Sequence, residues 1–150
     1  MLEEIYNHLQ LSETLHSGGM PTPAQVASLA ADGVQVVVNL ATPKSESWIP
    51  NERELVEAQG AAYYNIPVDW DNPTLEDLNK FAAVMDKHRG EKILVHCQAN
   101  YRATGFIALY RVVRLGWSEE NAFKELKKIW NPAEYPVWES FIKKSLRAQS

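Results

Sequence analysis

The sequence is poor in cysteine, because Cys97 is the only one among its 150 residues. An internal disulfide and a two-cysteine redox couple are therefore excluded. No stretch approaches the ~18 consecutive apolar residues that a membrane-spanning helix requires. The acidic start at residues 1–5 also lacks the apolar core of a signal peptide. These absences predict a cytoplasmic protein, and in a reducing cytoplasm a lone cysteine stays a free thiol.

Positive charge is scarce as well: 15 lysine and arginine residues stand against 19 acidic ones, and the formal net charge is −4. A basic stripe that would bind nucleic acid or an anionic membrane is therefore not expected. His8, His16 and His88 lack the spacing of metal ligands, so neither a metal nor another cofactor is predicted. An anionic substrate would have to be attracted by local positive potential. The sequence leaves the oligomeric state open.

No linker, repeat or low-complexity tract divides the chain, and its length fits a single domain over residues 1–150. We predict strands at residues 34–40, 61–68 and 92–96, and an edge strand at 9–16. Helices are predicted from the capping boxes of Thr22 and Thr74, and near residues 51, 102, 118 and 133. This alternation predicts an α/β sandwich with a central, mainly parallel sheet of about four to five strands, flanked by helices.

The most informative segment is ILVHCQANYRATG at residues 93–105. An apolar strand leads into a short loop headed by Cys97, and the loop leads into a helix that is apolar nearly all round. Backbone N–H groups at such a helix start are unpaired and, with the helix dipole, form an anion site. The same surroundings stabilise the Cys97 thiolate and make it a nucleophile.

Arg102 closes the same loop and can bind two phosphate oxygens in a bidentate manner. The dipole opposes a cation at this end of a helix, and a bound anion would account for its presence there. One short loop would thus supply nucleophile, N–H donors and clamp. The chemistry that it favours is phosphoryl transfer through a cysteinyl-phosphate. His96 is predicted to support the loop structurally.

His96 and Cys97, followed by Arg102 and Thr104, resemble the signature of the cysteine-dependent protein tyrosine and dual-specificity phosphatases. Four residues separate Cys97 from Arg102, one fewer than in the usual loop of those families, and Asn100 is the residue best able to replace a loop glycine at positive φ. With SGGMPTP at residues 17–23 and VNL at 38–40, this variant resembles a compact phosphatase-like family, distantly related to the dual-specificity enzymes. The resemblance covers roughly residues 9–115.

The resemblance implies a dual-specificity-phosphatase-like fold and a general acid, an aspartate on a loop upstream of the cysteine. Asp69 is favoured because it directly follows the predicted strand. Asp71 is the alternative, although it could instead form a turn with Asn72 and Pro73. The substrate is expected to contact residues of both loops: His96, Gln98, Ala99, Asn100, Tyr101, Ala103, Thr104, Trp70 and Asp71.

Three functions are compatible with these residues. The first is a phosphomonoester hydrolase of the protein tyrosine phosphatase type, acting on a phosphorylated protein or a small aryl phosphate. The second is a non-catalytic phosphate-binding module, a pseudophosphatase, which the shortened loop and the ambiguous acid favour. The third is a rhodanese-type sulfurtransferase, in which the loop cysteine carries a persulfide.

Overall fold

The computed structural model describes residues 1–148, in which five strands form one sheet. The strands are β1 (Leu9–Gln10), β2 (Leu15–Gly18), β3 (Val36–Asn39), β4 (Ala62–Asn65) and β5 (Ile93–His96). Their order across the sheet is β1-β2-β5-β3-β4, and only the β1–β2 pair is antiparallel. The predicted α/β architecture with a mainly parallel central sheet is confirmed.

The sheet is covered on both faces. The helices of the described chain are α1 (Pro23–Ala27), α2 (Glu52–Glu57), α3 (Leu75–Lys87), α4 (Tyr101–Val113), α5 (Glu119–Lys124) and α6 (Pro136–Arg147). Helix α4 lies in the middle, in contact with β2, β5, α3, α5 and α6, and ten of its thirteen residues are buried. Its apolar sequence on every face follows from this position. Within residues 1–148, each helix is too short or too polar to cross a membrane.

Consecutive residues of β3 face opposite cores, which explains its continuous apolar run. Val36 and Val38 face the larger core, which includes Phe106 of α4, whereas Val37 faces a smaller core with Val26 of α1. Both faces of the strand are fully buried. Because β2, β5 and β3 run parallel, their carboxyl ends meet at one edge of the sheet. The loop headed by Cys97 begins at this edge.

The predicted edge strand at residues 9–16 is wrong in its extent: β1 lies at the edge of the sheet, but it ends at Gln10 and a second strand begins at Leu15. The Ser12 hydroxyl accepts hydrogen bonds from the N–H groups of Thr14 and Leu15, at 3.2 and 3.0 Å, and so turns the chain. The second arm of this hairpin, β2, is an interior strand that pairs in parallel with β5. Alternation of polar and apolar residues could not distinguish one strand from two joined by a tight turn.

The last helix also differs from its predicted start near Ala133. A separate 3₁₀ turn spans Pro132–Glu134, and α6 begins only at Pro136. Proline disfavours helical geometry at the residue before it, and Tyr135 is accordingly non-helical, with φ −129° and ψ 89°. The capping box at Thr22 is complete, whereas at Thr74 only the bond from the Asp77 N–H to the threonine hydroxyl is made.

Candidate active site

The candidate site lies where β5 ends and α4 begins. Cys97 follows the strand directly and is 1% exposed, and α4 starts four residues later at Tyr101. Asn100, the residue before the helix, adopts the left-handed conformation with φ 71° and ψ 8°. This geometry is the one for which asparagine was expected to replace glycine. It lets the chain pass from strand to helix within four residues.

We call residues 97–102 the anion loop. Several of its backbone N–H groups are available to a ligand. The N–H of Cys97 donates to Gly18 O at 3.2 Å, and the next N–H bonded to the backbone is that of Thr104, which donates to Asn100 O. In the described part of the chain, Gln98, Ala99, Tyr101 and Arg102 make no backbone N–H hydrogen bond. Such free donors at the positive end of a buried helix bind anions.

Contacts from the N-terminal part of the chain hold the anion loop in shape. Met20 N–H donates to Gln98 O at 2.9 Å, and the Asn7 side chain donates to Ala99 O at 3.1 Å. A Cβ on Gly19 would lie 2.8 Å from Gln98 O, so only glycine permits this approach. The sequence motif SGGMPTP therefore supports the loop from outside. Asn7 was not predicted from the sequence, because no local pattern indicates its contact with a residue 92 positions away.

A cavity of about 300 Å³ opens above Cys97. Its lining comprises Trp70, Cys97, Gln98, Ala99, Tyr101 and Arg102. These six residues were all named from the sequence, and the fold brings Trp70 to the loop from 27 positions upstream of the cysteine. Arg102 is the only lining residue with a permanent charge, so the cavity favours an anion. No group of three or more possible metal ligands occurs among residues 1–148.

Arg102 links the anion loop to the loop after β4. Its side chain is largely buried, and the Nη1 group donates to Val68 O at 2.8 Å. A guanidinium carries five N–H donors, so this single bond leaves others for a ligand. The carbonyl also offsets part of the cost of burying the cation. The bond therefore positions the arginine at the cavity wall.

The two aspartates of that second segment, the aspartate loop (residues 68–73), are exposed, and neither lines the cavity. The Asp69 carboxylate accepts a hydrogen bond from the Asp71 N–H at 2.9 Å, and Asp69 O accepts one from the Asn72 N–H at 3.0 Å. The turn role expected of Asp71 thus belongs to Asp69. No side-chain hydrogen bond engages the carboxylate of Asp71 within residues 1–148.

Four other predicted site residues are buried in the protein interior. Ala103 and Asn100 are fully buried, and the Asn100 side chain donates to Asn7 O at 2.8 Å. The Thr104 hydroxyl donates to Asn100 O at 2.6 Å and accepts from the Trp130 indole N–H at 2.9 Å. None of these, nor His96, lines the cavity. The Thr104 hydroxyl therefore joins the buried side of the anion loop to Trp130.

His96 belongs to a buried polar network that sequence analysis missed. Its Nε2–H donates to a Glu52 carboxylate oxygen 2.5 Å away, and both side chains are almost completely buried. Asn39 donates to the other oxygen of Glu52 at 3.2 Å and to the Tyr63 hydroxyl at 3.1 Å. Burial, with the nearby Glu52, raises the pKa of Tyr63 to about 12. The sequence did not single out Glu52, because it lies in the first turn of a helix, where acidic residues are common.

Aromatic side chains form the outer wall of the cavity. The Tyr101 ring stacks on Trp130 with centroids 5.0 Å apart, and Trp70 stacks on Trp138 at 5.3 Å. The Trp138 indole N–H donates to Trp70 O at 2.8 Å. A hydrogen bond to Tyr135, together with burial, raises the pKa of Tyr101. The wall is thus fixed by contacts with the C-terminal helices.

Comparison with known proteins identifies relatives for most of the chain. The family described as "DSP-PTPase phosphatase fused to NAD+ Kinase" (PTP-NADK) matches residues 3–135. The dual specificity protein phosphatase TpbA of Pseudomonas aeruginosa, strain UCBPP-PA14, is 26% identical over 124 residues, which are 81% of this chain and 54% of that protein. The chain thus spans about half the length of the curated relatives it matches.

Solved structures show the same fold. A candidate phosphatase (DUF442) from Shewanella putrefaciens CN-32 is 37% identical, with a TM-score of 0.87 over 99% of this chain and 97% of that one. The P. aeruginosa TpbA structure in complex with pTyr has a TM-score of 0.70 and 19% identity, and the match covers 95% of this chain and 90% of that one. At that identity the second match bears on the fold alone.

Proposed function

This chain belongs to the PTP-NADK family of dual-specificity-type phosphatases fused to NAD+ kinase, and on that premise we propose that it hydrolyses phosphomonoesters through a cysteinyl-phosphate on Cys97. The observation that carries the proposal is the cavity above Cys97. It joins a buried thiol, free N–H donors at the start of a buried helix, and the Arg102 guanidinium. A phosphoryl group requires these three kinds of partner at once.

The first chemical step forms the intermediate. The Cys97 thiolate attacks phosphorus, the S–P bond forms, and the bond from phosphorus to the leaving oxygen breaks. Arg102 and the free N–H groups of the anion loop stabilise the charge on the remaining phosphoryl oxygens. These donors are already in place before the substrate binds, so little reorganisation is needed in the transition state.

The leaving oxygen requires a proton, and an aspartate of the aspartate loop supplies it. Asp69 remains the first candidate, and Asp71 is the alternative because its carboxylate is free of the turn. In the second step, the same aspartate accepts a proton from water as the water attacks phosphorus. The S–P bond then breaks, which releases phosphate and restores the thiolate.

The buried pair of His96 and Glu52 acts as a positioning device in this proposal. It anchors the end of β5, one residue before the nucleophile, to helix α2. Glu52 is in turn held by Asn39 at the end of the neighbouring strand β3. The carboxyl ends of two strands are thereby fixed at the base of the cavity, which keeps the sulfur under the bound phosphoryl group.

The substrate that fits these surroundings best is an aryl phosphate, either phosphotyrosine in a protein or a small molecule. Trp70 and Tyr101 offer aromatic faces at the cavity wall. Aromatic rings bind other rings through offset or edge contacts. The P. aeruginosa relative TpbA, 26% identical to this chain, is a dual specificity protein phosphatase, and its solved complex holds pTyr.

The test is hydrolysis of p-nitrophenyl phosphate by the wild type and by Cys97→Ser. We expect turnover by the wild type and none by the variant, which should still bind inorganic phosphate in calorimetry. Acid quenching of the wild-type reaction should trap a species heavier by one phosphoryl group. Full activity of Cys97→Ser would overturn the mechanism.

A second candidate function is a phosphate-binding module without turnover. The observation that favours it is the exposure of Asp69 and Asp71 outside the cavity. A wild type that binds phosphate but does not release p-nitrophenol would support this module. Neither binding nor turnover would contradict both functions.

A further inference from the structure

A surface groove runs beside the cavity, between the aspartate loop and α6. Its first part, of about 420 Å³, is walled by Pro73 and by Val137, which is 48% exposed. Its second part, of about 530 Å³, is walled by Leu75 and Arg147. Lys144 lines both parts, so they form one continuous groove along the helix. This site is separate from the anion loop.

One face of α6 forms the floor of the groove. Val137, Ser140, Lys144 and Arg147 line it and recur at intervals of three and four residues. Residues at this spacing share one face of a helix. From Val137 to Arg147 the helix rises about 15 Å, at 1.5 Å per residue. The groove is therefore about 15 Å long, a length that accommodates several residues of an extended chain.

The far end of the groove is positively charged in an otherwise acidic protein. Lys143, on the neighbouring face, is 3.9 Å from Glu139. By contrast, Lys144 and Arg147 form no ion pair with an acidic residue among residues 1–148. The negative end of the helix dipole favours cations anywhere around the last turn. It does not explain why two unpaired ones share the groove face.

The near end of the groove lies next to the cavity. Trp70 lines the cavity and Asn72 lines the groove, and two trans peptide units place their Cα atoms at most about 7.6 Å apart. Trp138, next to Val137 in α6, donates to Trp70 O. The same loop and helix thus form walls of both sites. A chain that leaves the cavity on this side would enter the groove past Pro73.

We propose that the groove binds a phosphorylated protein in extended form beside its phosphorylated residue, and that Lys144 and Arg147 pair with an acidic residue of that protein. The inference rests on the phosphatase function proposed above and deepens it. Val137 and Pro136 provide apolar contact near the cavity. The groove floor is about 15 Å long, and the step from Trp70 to Asn72 adds up to about 7.6 Å. An extended chain advances about 3.3–3.6 Å per residue, so we expect the acidic residue about four to seven positions from the phosphorylated one.

Two phosphotyrosyl peptides of equal length test this proposal. One carries glutamate four to seven positions away on both sides of phosphotyrosine, and the other carries serine there. Each exposed pair changes affinity by about two- to fivefold, so the wild type should show about tenfold higher kcat/KM for the acidic peptide. Phosphate release measures kcat/KM. The double variant Lys144→Glu/Arg147→Glu should bring the ratio of the two kcat/KM values to one or below.

The matched control is Lys124→Glu/Lys127→Glu, at the end of α5 and in the 3₁₀ turn that follows it, which changes the net charge equally outside the groove. It should retain the acidic preference. A wild-type ratio within twofold of one would overturn the proposal, and so would an equal loss of preference in both double variants. Hydrolysis of p-nitrophenyl phosphate without turnover of either peptide would also overturn it, and would point to a small-molecule substrate.

Failure of the phosphatase function is distinguishable from failure of this inference. If the wild type hydrolyses nothing, the proposed function fails, and the groove is still tested by binding. Fluorescence anisotropy of the two labelled peptides with Cys97→Ser should then show about tenfold tighter binding of the acidic one. Equal affinity for both peptides would overturn the groove assignment.

Discussion

The two loops that border the cavity are built in opposite ways. The anion loop is largely buried, and neighbouring segments of the chain hold its carbonyl groups and the Asn100 side chain. The aspartate loop is exposed from Asp69 to Asn72 apart from the half-buried Trp70. Its long-range ties include the bonds from Arg102 to Val68 O and from Trp138 to Trp70 O. The anion loop is thus pre-organised, whereas the position of the aspartate loop depends on a few contacts.

Arg102→Lys should have the largest effect, because Arg102 belongs to the anion loop and its side chain holds the aspartate loop. Lysine lacks the planar fork that binds two oxygens. We expect kcat/KM for p-nitrophenyl phosphate to fall by about 10²–10³, the usual cost of one stabilising donor. Arg114→Lys, at the exposed end of the same helix, is the control and should retain wild-type kinetics. Retained activity in Arg102→Lys would contradict the clamp.

The next largest effect is expected at Asp69 or Asp71, because a general acid acts in proton transfer and not in phosphate binding. Removal of the general acid should lower kcat about 10²-fold for phenyl phosphate, whose leaving group needs a proton, and much less for p-nitrophenyl phosphate. Asp69→Asn and Asp71→Asn should be compared with both substrates. The variant that shows this leaving-group dependence identifies the acid. If neither variant shows it, the aspartate loop does not supply the proton.

Gly19→Ala tests whether support from β2 keeps the anion loop in shape. The added Cβ would lie 2.8 Å from Gln98 O, so the loop must shift. Overpacking of this kind costs about 1–3 kcal/mol of unfolding free energy, measurable in urea. Phosphate affinity should fall as well. Gly60→Ala is strained by its φ of 83° but meets nothing within 4 Å, so it should lower stability alone.

Trp138→Phe should have the smallest effect on catalysis, and it tests the hydrogen bond that joins α6 to the aspartate loop. Phenylalanine keeps an aromatic ring but loses the N–H that donates to Trp70 O. One lost hydrogen bond costs about 0.5–1.5 kcal/mol of stability, and the smaller ring adds the cost of a cavity, because Trp138 is fully buried. We expect KM for p-nitrophenyl phosphate to rise a few-fold while kcat changes little. Trp117→Phe, at a 40% exposed position, should leave KM unaltered. A change in stability with no change in KM would limit Trp138 to packing.

Local signals in the sequence were sufficient where a structure is stabilised by neighbouring residues. The strand at β5, the buried helix α4 and the positive φ of Asn100 follow from apolar runs and from the conformational tolerance of asparagine. The hairpin of residues 9–18 and the late start of α6 were missed. Each depends on a single turn residue, Ser12 or Pro136, which competes with an otherwise consistent pattern.

Long-range partners could not be predicted from one sequence. Glu52 is 44 residues from His96, and Asn7 is 92 residues from Ala99. Neither partner carries a local pattern that separates it from an ordinary surface residue. Thr104 was predicted to contact the substrate, and it does not line the cavity for a related reason. Its hydroxyl bonds Trp130, whose approach depends on how α4 packs against the C-terminal helices.

The sequence by itself determined that Cys97 and Arg102 lie together at one strand–helix junction, because the four residues between them are too few to carry them apart. The tertiary structure alone decided which groups surround that site. It placed Trp70 in the cavity wall, turned Asp69 into its own loop and buried Glu52 against His96. Local geometry follows from neighbouring residues, whereas burial and pairing depend on segments that meet only after folding.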